Sequence, residues 1–278
     1  MSKGFVLLAE GDDYVKQAAL CAMSIKDSGN TYPVSLLTCD VVPQKYTSLF
    51  DKIIEIPWYE KTNSVFKTEN RWKIYHASPY NETIVLDTDI LVLQDLDFWW
   101  NFLSAYDLYY IDKVYTYRKE QVIDKHYRKT FLANKLPNLY NGIHYFKKGD
   151  VAHEFYKWVE LVTNNWELFY GQYCKKHYPK QPSMDVTVSI VAKILDCDNL
   201  ITNKQYRYPY FVHMKPKIQG WTKNIPSSWQ NKVGVYLTDD CKLKIGNHLQ
   251  DTIFHYTENN FVTEEVLSKY EKKFSRTT

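Results

Sequence analysis

The first hundred residues of this 278-residue chain alternate short apolar runs with helical patterns, and few folds accept that order. Residues 5–9, Phe-Val-Leu-Leu-Ala, are continuously apolar, as in a strand covered on both faces. After the acidic turn Glu10-Gly11-Asp12-Asp13, the apolar positions Val15, Ala18, Ala19, Ala22, Met23 and Ile25 recur at helical spacing. Asp13 is the expected N-cap of this helix and Gly29 its stop. Further strands are expected over 34–38, 53–56 and 84–86, with helices over 43–50 and 70–77. Strands separated by helices imply right-handed crossovers and a mainly parallel sheet.

The second half is less regular, with helices expected over 150–165, 183–195 and 263–273. No repeat and no Gly/Ser- or Pro-rich linker divides the chain, so one α/β domain is expected. Hydrophobic residues at 45% and charged residues at 24% exclude a disordered or low-complexity chain. No apolar run approaches the roughly 18 residues of a membrane span, and residues 1–5 carry no signal-peptide pattern. The five cysteines are widely spaced without a C-x-x-C, which suits reduced thiols and a cytoplasmic protein.

The sharpest local feature is Leu86-Asp87-Thr88-Asp89-Ile90. Residues i and i+2 of an extended chain face the same side. Both carboxylates would therefore project from the carboxyl end of a parallel strand, where open α/β sheets bind ligands. Two acids among apolar neighbours are costly unless positive charge lies between them. A divalent cation with a diphosphate answers that need, because Mg²⁺ and Mn²⁺ favour carboxylate and phosphate oxygen. A polar turn between two strands is the plainer alternative. Other chemistries lack their signatures: there is no G-x-G-x-x-G, no phosphate-binding G-x-x-x-x-G-K-[ST], no zinc spacing and no G-x-S-x-G.

The run from Thr83 to Leu96 resembles the D-x-D region of family 8 glycosyltransferases of the GT-A fold. The opening strand, Glu10-Gly11-Asp12-Asp13-Tyr14 and a helix ending Ser24-Ile25-Lys26 are similar to that family as well. Asn141-Gly142 before Ile143-His144-Tyr145-Phe146 resembles its N-S-G-x-x-x-F segment with one residue missing, and Met184-Asp185 resembles its acceptor-side D-Q. The likeness runs over 4–195, and its flavour is that of the divergent enzymes of tailed bacteriophages, which would place the protein in the host cytoplasm.

The resemblance implies an α/β GT-A fold: a single Rossmann-like domain with a mainly parallel central sheet. Residues 1–110 would bind the nucleotide sugar, and 111–278 would form an appended acceptor half that closes the metal site. It also implies sugar transfer from a nucleoside diphosphate sugar, usually UDP-linked, to a hydroxyl with retention of configuration. Asp87 and Asp89 would hold Mn²⁺ or Mg²⁺, completed by a histidine near the C-terminus. His255 in Ile253-Phe254-His255-Tyr256 fits that place, His213 competes for it, and neither precedes the family's full G-x-x-K-P-W tail. Ala9, Glu10 and Tyr14 would meet base and ribose, and Asp87 and Thr88 would also face the nucleotide. Arg71 or Lys73 would reach phosphate or sugar, and Lys215 or Lys217 would clamp the diphosphate. Asp185 would stabilise positive charge at the anomeric carbon; its plainer role is an acidic start to a helix.

Aromatic content is high, with 24 Tyr, 13 Phe and 8 Trp, and much of the tyrosine lies among basic residues. Residues 113–135 hold seven Lys/Arg against Glu120 and Asp124, interleaved with Tyr115, Tyr117 and Tyr127. Residues 203–224 hold five and no acid, among Tyr206, Tyr208, Tyr210, Phe211 and Trp221. Rings stack on bases and on sugar faces, and cations contact phosphates. With the phage-like resemblance, the expected acceptor is a hydroxymethylated base in DNA, drawn out of its stack. A glycan or protein hydroxyl is the alternative acceptor. A non-catalytic protein binding nucleotide sugar or nucleic acid is the alternative class.

Overall fold

The computed structural model describes residues 2–62, 64, 66–122, 128–203, 210–213, 234–256 and 261–274. The first half runs β1 (Lys3–Leu8), α1 (Asp12–Asp27), β2 (Val34–Leu37), α2 (Gln44–Thr47), β3 (Lys52–Ile54), a 3-10 turn (Arg71–Lys73), α3 (Ile74–Ala77), β4 (Glu82–Leu86), β5 (Ile90–Val92), α4 (Asp97–Leu103) and β6 (Leu108–Ile111). The second half runs α5 (Lys129–Asn134), β7 (Tyr140–Lys147), α6 (Asp150–Asn164), α7 (Trp166–Tyr173), α8 (Met184–Ile194), β8 (Phe211–His213), β9 (Val235–Leu237), β10 (Leu243–Ile245), β11 (His248–Gln250), β12 (Ile253–His255) and α9 (Glu264–Phe274).

The main sheet has the order β3-β2-β1-β4-β7-β6. Its first four strands are parallel, as the alternation of strands and helices requires, and β7 runs antiparallel to both β4 and β6. Alternate residues of β1 feed two cores: Phe5 and Leu7 pack with α1 and α9, while Val6 and Leu8 pack with α6 and α8. That two-sided burial is why the strand reads as a continuous apolar run. Two three-stranded sheets, β5-β12-β8 and β11-β10-β9, lie beside it among the described residues. Among the described residues no helix is long and apolar enough to cross a membrane. All five cysteines are free.

Some local expectations shift. Helix α1 starts at Asp12, not after an Asp13 cap, because Gly11 takes the N-cap position at φ +110°. Its amide donates to Asp40 Oδ2 at 2.6 Å, and both Asp12 and Asp13 sit in the first turn, where the helix dipole favours acids. The helix expected over 70–77 is split into a 3-10 turn and the single turn α3. Helix α7, among the less regular stretches of the sequence, follows α6 directly.

Strand β7 carries His144 into the core. Its Nδ1–H donates to the Asn141 carbonyl at 3.0 Å, so its Nε2 accepts from the Tyr156 hydroxyl, also at 3.0 Å. The ring stacks on Tyr110 at 5.0 Å. Burial pushes the imidazole down to about 4. The unfolded chain binds this proton near pH 6.5 and the folded chain only near 4, so between those values the unfolded state carries more protons. Stability from His144 is therefore full above about pH 6.5 and is lost as pH falls towards 4, up to about 3 kcal/mol. Urea unfolding of wild type and His144→Phe across pH 7 to 4 should show their stability difference shrinking on acidification. A constant difference would contradict it.

Candidate metal and nucleotide site

Register brings the two acidic segments together. Leu7 stands opposite Leu86, so Glu10 and Asp87 leave the sheet at the same edge. Strand β7 arrives there from the other direction, and the Asp87 amide donates to the Gly142 carbonyl at 2.8 Å. Beyond Asp89 the chain enters β5, antiparallel to β12, with Ile90 opposite His255. The Asp89 carbonyl accepts from the Tyr256 amide at 3.1 Å. One ligand atom each from Asp87, Asp89 and His255 thus lie within 4.8 Å of one another.

The cluster has one fixed positive neighbour and one close internal contact. Arg71, on the 3-10 turn, pairs with Asp87, and His255 Nε2 lies 2.9 Å from Asp89 Oδ2. Burial disfavours the Asp89 carboxylate, yet His255, helped by Arg71, holds its pKa below the ordinary value. Asp87 and Asp89 keep 17% and 28% of their side-chain surface exposed, enough to admit a ligand from one side.

The donors suit a divalent cation. Two carboxylates and an imidazole are hard-to-borderline ligands that Mn²⁺ accepts well. His255 Nδ1 is buried without a hydrogen-bond partner, a cost the isolated chain bears at this point. Gly142 leaves room beside the cluster: a Cβ there would lie 3.3 Å from both Asp87 Oδ2 and Phe211 Cζ, and 3.5 Å from His255 Cε1. His213 lies one strand over, level with His255 across the parallel pair β8–β12, its ring centroid 4.5 Å away. It is beside the ligand set, not within it.

The nucleotide residues divide. Glu10 is buried at the edge of β1, its Oε2 accepting from Asn70 Nδ2 at 2.9 Å, and burial pushes its carboxyl up. Ala9 is fully buried, its amide bonded to the Leu37 carbonyl at 2.9 Å. Tyr14 is half-buried, and burial, then the Asp89 charge, raises its phenol. Thr88 turns its hydroxyl away, to Gln17 Oε1 at 3.0 Å on α1. Of the two basic candidates on the 3-10 turn, Arg71 reaches the cluster and Lys73 does not. Lys73 is fully buried, its ammonium donating to the Trp58 carbonyl at 2.5 Å and to Asn70 Oδ1 at 2.8 Å. Lys215 and Lys217 lie outside the described residues.

Asp185 opens helix α8. Its Oδ2 accepts from Arg128 at 2.5 Å and its Oδ1 from the Asn141 amide at 2.8 Å. Arg128 is buried between Phe131 and Tyr140 and also donates to Asn138 and to the Leu139 carbonyl. Asn141 and Gly142 are consecutive, so one short piece of β7 touches both Asp185 and Asp87. Asn70 and Arg128 were not singled out as site residues from the sequence; Arg128 was hidden inside a run of basic residues that reads as a surface.

A Rossmann-like sheet with an acid pair at the end of β4 and an antiparallel strand crossing beside it defines the GT-A glycosyltransferase fold, which this chain has. The galactosyltransferase LgtC, solved with donor and acceptor sugar analogues, matches with TM-score 0.51 at 12% identity, over 95% of each chain. Mouse xyloside xylosyltransferase 1 matches with TM-score 0.50 at 9% identity, over 93% of this chain and 99% of that one. The glycosyltransferase GlyE of Streptococcus pneumoniae, at 15% identity and TM-score 0.47, is matched over all of this chain, which spans 64% of GlyE's length. No protein-family model matches the sequence, and no curated protein matches it significantly.

Gly142→Ala should crowd Asp87 and His255 together while sparing the fold, at a cost of about 1–3 kcal/mol in stability. Mn²⁺ titration by calorimetry should show affinity falling by about tenfold. Unchanged Mn²⁺ affinity would contradict the placement of the cluster.

Proposed function

We propose that this chain is a metal-dependent glycosyltransferase. It moves a sugar from a nucleoside diphosphate sugar, UDP-linked as in the family it resembles, to a hydroxyl acceptor with retention of configuration. The observation that carries the reading is the convergence of Asp87, Asp89 and His255 at the carboxyl edge of β4, with Arg71 on Asp87. Asp87, Asp89 and His255 would hold Mn²⁺ or Mg²⁺, which when bound supplies positive charge to the diphosphate leaving group. Arg71 adds a fixed cation on the same side and holds Asp87 in its orientation. Glu10, Ala9 and Tyr14 line the adjoining edge, where the nucleoside would lie. Lys215 or Lys217 would complete the diphosphate clamp.

Retention asks for no general base among the side chains. It asks for negative charge near an oxocarbenium-like centre, and Asp185, held by Arg128 and the Asn141 amide, is the proposed carboxylate. Residues 1–110 then serve the donor and 111–278 the acceptor and the closing histidine. The described rings of the first basic, tyrosine-rich segment offer a hydroxymethylated DNA base no stacking surface, although Arg118, Lys129 and Lys135 are exposed. Tyr115, Tyr117 and Arg128 are buried there, and Lys119 pairs with Asp251. A hydroxyl on a glycan or protein is therefore placed ahead of DNA.

A thermal-shift panel of nucleotide sugars, with and without Mn²⁺, should raise the melting midpoint for one donor only when Mn²⁺ is present. Asp89→Ala should abolish Mn²⁺-dependent release of nucleoside diphosphate from that donor. Release at the wild-type rate would remove Asp89 from the site, and a panel without any response would favour a non-enzymatic role.

A further inference from the structure

Trp58 is 67% exposed, and its backbone takes the left-handed φ of +49° that bulky side chains seldom adopt. Such a conformation is costly and persists only where the surroundings impose it. Here they do. The fully buried ammonium of Lys73 donates to the Trp58 carbonyl at 2.5 Å. Asn70, also fully buried, accepts from Lys73 and joins the Glu60 backbone through both its amide (3.2 Å) and its carbonyl (2.8 Å). The indole lies nearly parallel to that of Trp72, at 13° and 6.1 Å between centroids, with His76 edge-on to both. A buried lysine and a buried asparagine are thus committed to presenting one flat, exposed ring.

The ring is linked to the proposed site through the turn that carries Asn70 to Lys73. Trp72 follows Arg71, which pairs with Asp87, and Asn70 also donates to Glu10. Its neighbourhood is not cationic. Residues 58–69 carry Glu60 and Glu69 against Lys61 and Lys67, and Lys73 is buried. A polyanion finds no excess charge there. A neutral pyranose does find what it needs. Its C–H face would lie against the electron-rich face of the indole, and its hydroxyls would bond to nearby polar groups such as the largely exposed Glu60 carboxylate, 3.7 Å from Lys73 Nζ.

We propose that Trp58 is the stacking platform of a sugar subsite that takes a neutral pyranose ring of the acceptor, which makes the acceptor a glycan. The word acceptor rests on the transfer reading; the subsite itself does not, since binding is measured without donor or metal. Wild type, Trp58→Ala and Trp58→Phe should be applied to an array of neutral oligosaccharides, sulfated oligosaccharides and DNA, in EDTA and without nucleotide sugar. Wild type should retain one or more neutral glycans, Trp58→Ala should lose about tenfold in affinity for them, and Trp58→Phe should keep most of it. Circular dichroism and the melting midpoint of each variant confirm that the fold persists. Equal retention by wild type and Trp58→Ala would overturn the proposal, as would capture of anionic ligands alone or of nothing. Failure of nucleoside diphosphate release, measured separately, would strike the transfer reading and leave the subsite standing.

Discussion

Two carboxylates held within 4.8 Å of a third ligand at the edge of a buried sheet set the terms for this half of the molecule. Their repulsion in a partly dry environment must be met by positive charge or hydrogen-bond donors, and the fold brings a guanidinium and an imidazole from two distant parts of the chain. Arg71 comes from the turn before β4, and His255 comes from a strand almost at the end of the described chain. Neither arrives by chance of surface position. Arg71 sits on a turn whose neighbours Asn70 and Lys73 are fully buried, and His255 is fixed by pairing of β12 with both β5 and β8.

Strand β7 ties this charge balance to the rest of the site. Its Gly142 carbonyl holds the Asp87 amide, its Asn141 amide holds Asp185, and its His144 anchors the Asn141 carbonyl from beneath. A strand antiparallel to β4 can do this because it presents successive backbone groups at the edge where the parallel strands end. In the core beside this strand Tyr110 stacks on His144, which is hydrogen-bonded to the Tyr156 hydroxyl, so the strand is held by packing as well as by its ladder.

The sheet and the acid pair were legible in the sequence because both are local. Continuous apolar runs mark strands covered on two faces, and i, i+2 spacing puts Asp87 and Asp89 on one side whatever the rest of the chain does. His255 and His213 could not be separated that way. They end adjacent parallel strands at the same level, and only the pairing of β12 with β5 carries His255 to Asp89. Lys73 was expected to reach phosphate or sugar and is fully buried, because its partners, a backbone carbonyl and Asn70, leave no mark in a pattern of residue types. Tyr115, Tyr117 and Arg128 read as a basic aromatic surface for the same reason: an Arg stacked between rings and bonded to Asp185 has the composition of a binding patch and the position of a core residue.

The central claim is that Asp87, Asp89 and His255 together hold a divalent cation. Anomalous diffraction from crystals grown with MnCl₂ and UDP tests it most directly. The account predicts a manganese peak bounded by the two carboxylates and the His255 imidazole, with diphosphate oxygens on its open side. A peak at other residues, or density for UDP with no metal between it and Asp89, would contradict it.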